Sequence, residues 1–241
     1  MTSGSCSRPH ARGGQLSPGL LGAVSGGQAD WVVDYTAIDW ARVALVVIDV
    51  QNDFVDGAMP VPGTVEILPQ LRHLVEAFRS AGRPIAHVIR LYSASGGDVD
   101  LVRRADIESG RRVVSPGSSG AEIPYALTGG TPVRVDAELL LTGAPQILGE
   151  REVLLYKPRW SAFHRTRLQA WLEQQNVSSV VVAGCNLPNC PRATLFDASE
   201  RDLPAGLVID AVSQTSPERL ADLRRIGVHG LTVDQVVHAL G

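Results

Sequence analysis

A continuous apolar, β-branched run, Val43–Val50, ends on an acid-bearing turn (Val-Ala-Leu-Val-Val-Ile-Asp-Val) and constrains this chain more than any other feature. Alternating strands with one wet face do not read this way. A strand buried on both faces does, and that is the habit of parallel sheets covered by helices. The same unit recurs. Residues 65–80 have helical spacing (Leu68, Leu71, Leu74, Val75, Phe78) with Gly82 as the stop, and Pro84–Arg90 is a second strand. Glu152–Tyr156, Ser179–Ala183, Gly206–Val212 and a short piece near Gly230–Val233 complete six strands. Helices are predicted over 165–174, 191–201, 217–226 and 233–240. Such alternation predicts an α/β fold: a three-layer α/β/α, doubly wound, mostly parallel six-stranded sheet of Rossmann-like form.

Two segments stand outside this rhythm. Residues 1–40 read as a flexible N-terminal arm, since Gly, Ser, Pro9 and Pro18 dominate them and Pro18, Gly19 and Gly22 interrupt the apolar stretch Leu16–Val24. Cys6, in this arm, is expected to be inert. Residues 41–241 then form one domain, which carries a lid-like insertion over about 91–150. A short helix is expected within it around Val99–Glu108. Its acids (Asp98, Asp100, Asp106, Glu108) are offset by Arg103, Arg104, Arg111 and Arg112.

Composition excludes several functions. A net charge of −3 without a dense basic run argues against nucleic acid as a partner. No apolar stretch approaches the roughly 18 residues that a membrane helix needs. Three cysteines, Cys6, Cys185 and Cys190, are too few for a disulfide scaffold, so a reduced, cytoplasmic setting is expected. G-x-G-x-x-G after a strand, the P-loop and G-x-S-x-G are all missing, which leaves nucleotide binding and serine hydrolysis unsupported.

Chemistry is expected where strands end. In open α/β sheets ligands bind beyond the carboxyl ends of the strands. There the chain places Asp49 after the first strand, Lys157 after the third and Cys190 after the fourth. Lys157 is also the only lysine among 22 basic residues, so a compact ammonium is retained there against an arginine bias. A thiol, a carboxylate and an ammonium converging on one rim suit nucleophilic catalysis. Pro191 favours a helix start at Cys190, and a helix N-terminus and a nearby cation both favour the thiolate. Each residue alone has a bland reading, as packing cysteine, helix cap or chance lysine.

Four ordered segments share a further property: residues 45–57 (LVVIDVQNDFVDG), 115–123 (SPGSSGAEI), 157–168 (KPRWSAFHRTRL) and 184–194 (GCNLPNCPRAT) resemble the isochorismatase-like cysteine hydrolases, a family that includes nicotinamidases, N-carbamoylsarcosine amidases and ureidoacrylate hydrolases. The resemblance covers about residues 43–241. It implies a triad of Asp49, Lys157 and Cys190. It also implies a cis peptide between Cys185 and Asn186, with the N–H groups of Asn186 and Cys190 forming an oxyanion hole. Gln51, Phe54, Trp160, Phe163 and Leu187 are expected beside the substrate. Leu187 and Pro191 depart from the usual Thr and Val of relatives, and Cys185 is an unusual second thiol.

The implied reaction is hydrolysis of a C–N bond in a small amide, carbamoyl, ureido or lactam substrate through a thioester, with streptothricin-type lactam opening as one expectation. Two alternatives stay open: a vinyl-ether hydrolase of the isochorismatase type, and a non-catalytic binding module on the same fold. Neither cofactor nor metal is expected, because no histidine lies between His87 and His164 to build the Asp/His/His cluster of nicotinamidases. His87 is expected to be a core residue. A small-molecule substrate and a homo-oligomer, dimer or tetramer, are the expected partners.

Overall fold

The computed structural model describes Met1, Gly19–Leu21 and residues 32–241. Most of the expected N-terminal arm, Cys6 included, therefore lies outside the described residues. A small antiparallel pair, β1 (Gly19–Leu21) with β2 (Val32–Asp34), precedes the main sheet. Residues 34–40 are tied to the domain. Thr36 meets His229 Nε2 at 3.1 Å, the Asp39 N–H donates to Ser179 Oγ at 3.0 Å, and Ile38 and Trp40 pack against the core.

The main sheet contains β3 (Val43–Ile48), β4 (Ile85–Ile89), β5 (Gln146–Gly149), β6 (Glu152–Tyr156), β7 (Ser179–Gly184), β8 (Ala205–Val212) and β9 (His229–Leu231), in the order β5-β6-β4-β3-β7-β8-β9. Every pairing is parallel except that of β5 with β6. Seven strands thus replace the six expected. The extra strand, β5, is an edge strand of four residues that turns back through Glu150 and Arg151 and alternates half-buried with exposed positions. So short a run, with a single neighbour, leaves little periodic signal.

Helices α1 (Asn52–Val55), α2 (Thr64–Ser80), α3 (Leu101–Glu108), α4 (Ala137–Leu141), α5 (Leu168–Gln174), α6 (Cys190–Ser199), α7 (Pro217–Arg225) and α8 (Val233–Leu240) fill the connections. Strand β3 shows why the chain folds this way. Val43, Leu45 and Val47 join one apolar cluster with α2 and α8, while Ala44, Val46 and Ile48 join a second with α5, α6 and α7. Both faces are dry, as the unbroken apolar run requires.

The segment between β4 and β5 is built into the first cluster through Tyr92, Val99, Ile107, Val114 and Leu127, all buried. Asp53 holds it from α1, accepting the N–H of Val114 at 2.6 Å and that of Ala58 at 3.0 Å. Among the described residues no helix is long and apolar enough to cross a membrane.

Candidate active site

Strand order reverses about β3: the chain proceeds to β4 and β6 on one side, then returns to β7 on the other. The carboxyl ends of these four strands therefore open onto one crevice, the place where doubly wound sheets bind ligands. Asp49 follows β3 with φ +53°, a left-handed conformation that aspartate tolerates better than most residues. Its N–H donates to Val88 O at 2.9 Å, which fixes it to the neighbouring strand. Lys157 follows β6 and is anchored the same way, its N–H donating to Ile89 O at 2.9 Å.

The two side chains meet. Lys157 Nζ donates to Asp49 Oδ2 at 2.7 Å, and both are buried. Lys157 lies behind Asp49, and Asp49 itself reaches the wall of a small cavity. Its other oxygen, Oδ1, has no hydrogen-bond partner among the described residues.

Cys190 opens α6, with Pro191 in the first turn, and its thiol faces the same cavity. Thr194 secures this end of the helix: its hydroxyl donates to Cys190 O at 2.8 Å and accepts the Ala162 N–H at 3.0 Å. The peptide bond between Cys185 and Asn186 is cis. No acceptor among the described residues takes the N–H of Asn186 or of Cys190.

The surroundings of the thiol pull it in opposite directions. Burial pushes the Cys190 pKa up, the Asp49 carboxylate pushes it further, and Lys157 and Arg90 only partly offset them. A helix N-terminus and a cation favour the thiolate, and desolvation works against them. Such a thiol beside a carboxylate can lose its proton directly to that carboxylate. Burial also pushes the Cys185 thiol up, to about 12.

The residues expected to flank the substrate separate into two sets. Phe54 and Trp160 line the cavity. Gln51, Phe163 and Leu187 do not. Gln51 is fully buried, and its amide is spent on the backbone: Nε2 donates to Arg90 O at 2.8 Å and Ala121 O at 2.9 Å, while Oε1 accepts the Arg90 N–H at 2.8 Å. Phe163 lies in the second core cluster under the Arg201 guanidinium, 4.7 Å from its ring centroid, and Leu187 is fully buried. A motif identifies a residue without showing which way its side chain turns, and these three turn into the protein.

Of the other lining residues, Arg90 and Tyr92 went unread in the sequence, and Asp100 and Arg103 were read only as offsetting charges of the insertion. The one signal available was a cation closing an otherwise apolar strand, His87-Val-Ile-Arg90, where a charge must find a buried partner. The cavity holds about 20 Å³, room for about one water. A groove of about 540 Å³ lies outside it, sharing Asp100 and Trp160 and adding Leu101, Val102 and His164. His87 is in the core, its Nε2 2.8 Å from Glu152. Among the described residues no three His, Cys, Asp or Glu side chains gather as a metal site.

The doubly wound α/β domain thus brings a carboxylate, an ammonium and a thiol together at one crevice. Residues 43–224 match the isochorismatase domain model, and the chain belongs to the isochorismatase family. It is 34% identical over 204 residues to a probable inactive nicotinamidase of Arabidopsis thaliana, covering 81% of this chain and 95% of that one. It is 28% identical over 199 residues to the ureidoacrylate amidohydrolase RutB of Methylobacterium radiotolerans, covering 76% and 72% of the two chains. Among solved structures, an isochorismatase family protein from Desulfovibrio vulgaris superimposes with a TM-score of 0.70 at 30% identity, over 83% of this chain and 98% of that one.

Proposed function

We propose that the protein is a cysteine hydrolase that cleaves the C–N bond of a small amide, carbamoyl, ureido or lactam substrate. The observation that carries this reading is the buried Asp49–Lys157 pair, whose unpartnered Oδ1 shares a cavity with Cys190. Lys157 keeps the carboxylate fixed and compensated, and the free oxygen takes the thiol proton as Sγ attacks the carbonyl carbon. An S–C bond forms, and the carbonyl electrons move to oxygen, which the N–H groups of Asn186 and Cys190 receive. Collapse of this adduct breaks the C–N bond, and the departing nitrogen takes the proton from Asp49. Water then attacks the thioester, giving one proton to Asp49. The S–C bond breaks, the acid product leaves, and the proton returns to Cys190.

The ureidoacrylate amidohydrolase among the relatives supports a C–N substrate. The outer groove would hold the rest of the substrate, and Trp160, an exposed side chain that borders both spaces, would shift to admit it. A second reading, a binding module without turnover, draws on the Arabidopsis relative, which is named a probable inactive nicotinamidase.

Ammonia and amine release from a panel of primary amides, carbamoyl compounds, ureides and lactams tests both. Wild type, Cys190→Ala and Asp49→Asn are compared, each with and without chelator. Turnover that disappears in both variants and survives chelation supports the proposal. Full turnover by Cys190→Ala overturns it in favour of C–N cleavage that uses no thiol. Binding without turnover on every member favours the module.

A further inference from the structure

Strand β4 ends in a guanidinium that is almost wholly buried. Arg90 follows Ile89, and Gln51 clamps its backbone on both the N–H and the C=O. Its Nη2 reaches Asp100 at 2.9 Å and lies 3.9 Å from Cys190 Sγ. Nε and Nη1 have no partner among the described residues. The guanidinium stands 5.9 Å from the Tyr92 ring centroid, and the Tyr92 hydroxyl donates to Asp100 Oδ2 at 3.3 Å. Asp100 belongs to the segment between β4 and β5, immediately before α3.

Burying an arginine with only part of its donor set satisfied is costly, so the site retains it against a penalty. One carboxylate balances its charge at rest. Its position beside the sulfur gives it a second partner whenever Cys190 becomes anionic, during attack and again as the thioester breaks. Lys157 also favours the thiolate through space, but its ammonium is hydrogen-bonded to Asp49 and does not line the cavity, whereas Arg90 brings N–H groups without partners to the sulfur.

We propose that Arg90 is a fourth catalytic group, the cation that receives the Cys190 sulfur when it carries negative charge, and that Asp100 is the residue positioning it. The proposal rests on Cys190 being the nucleophile. It makes the inserted segment part of the machinery, because Asp100 holds the guanidinium only while that segment is docked. The charged and titratable groups around the thiol are Asp49 after β3, Arg90 and Tyr92 from β4 onward, Asp100 and Arg103 of the insertion, Lys157 after β6 and Cys185 after β7. Among these cations Arg90 is the one that hydrogen-bonds the sulfur, at 3.9 Å.

The test is iodoacetamide alkylation of the full chain from about pH 7 to 11, with the rate at fixed pH below the inflection as the readout where the inflection lies higher, followed at Cys190 by mass spectrometry, since the thiolate is the form that reacts. Arg90→Met moves the Cys190 inflection upward by about one pH unit, a tenfold slower reaction at any pH below it. Arg90→Lys recovers most of the difference. Asp100→Asn keeps the guanidinium but removes the competing carboxylate, and moves the inflection down.

Opposite shifts from neighbouring substitutions cannot come from general loosening, which would change access in the same direction for both. A shared inflection for wild type and Arg90→Met, or a shift of Asp100→Asn upward or not at all, overturns the proposal. If Arg90→Met does not fold, Arg90→Gln, which keeps polar contacts but no charge, takes its place with the same upward shift expected. Unmoved inflections together with thiol-dependent turnover overturn the role of Arg90 only. Full turnover by Cys190→Ala overturns the nucleophile and leaves the alkylation result to stand by itself.

Discussion

Lys157 Nζ sits 2.7 Å from Asp49 Oδ2, joining the ends of two strands that are not neighbours, since β4 lies between β3 and β6. The bond spans the back of the crevice and locks two of the converging loops together. An ammonium with no solvent exposure keeps its charge only through a partner of this kind.

Removing one member should therefore affect folding as well as chemistry. Lys157→Met leaves a buried carboxylate without its cation and is expected to lower stability by about 3–5 kcal/mol. Replacing both partners, as Asp49→Asn with Lys157→Met, costs less than the sum of the single changes because no charge is then stranded. Urea midpoints of the four proteins check this. Additive losses would show that the pair is not coupled. Lys157→Arg does not restore activity, because a planar guanidinium cannot occupy the space of a compact ammonium.

Gln51 belongs to the frame rather than to the substrate. Gln51→Leu strands the Arg90 N–H and C=O and the Ala121 C=O at once. Each buried group left without a partner costs about 1–3 kcal/mol, so a loss of about 3 kcal/mol or more is expected. Denaturant unfolding measures it. Unchanged stability combined with a raised KM would return Gln51 to the pocket wall.

Most of the architecture was readable because its signals are local. The runs Val43–Ile48 and Ser179–Gly184 are buried on both faces, so composition alone marks them, and Gly82 (φ +62°) lies just beyond the α2 boundary it was expected to set. Asp49, Lys157 and Cys190 were found because strand ends are where a parallel sheet presents side chains. What escaped depends on tertiary direction. Arg90 looked like one more arginine in an arginine-rich chain, and its meaning comes from Asp100, ten residues away in an aperiodic segment. Strand β5 was absorbed into that same segment, and the upward push on the Cys190 pKa follows from depth of burial, which a spacing rule does not report.

Gly184 ends β7 with φ +116°, and a Cβ there would run into the Ile48 backbone of β3. The contact is tight because the Cys185 N–H donates to Ile48 O at 2.8 Å, just before Asp49 on one strand and Asn186 on the other. Gly184→Ala is expected to cost on the order of 2–3 kcal/mol and to move Asp49 and the Cys185–Asn186 peptide apart. Thermal unfolding reads the first effect and turnover the second. A variant with wild-type stability would mean that β3 and β7 can separate at this point without penalty.

Acid stability should be set largely at the other end of β6. Burial raises the pKa of Glu152, but hydrogen bonds from Arg79 (2.6 and 2.8 Å) and the contact with His87 (2.8 Å) overcome it and bring the carboxyl down to about 2. The folded value lies below the ordinary 4.5, so the associated stability is complete above about pH 4.5 and disappears as pH falls towards 2. The difference corresponds to about 3 kcal/mol. Wild type should therefore lose far more stability than Glu152→Gln between neutral pH and pH 3, because glutamine has no proton to gain. Urea midpoints of the two proteins at both pH values provide the comparison. Parallel losses would show that acid sensitivity arises elsewhere, with the Asp49–Lys157 pair as the next place to look.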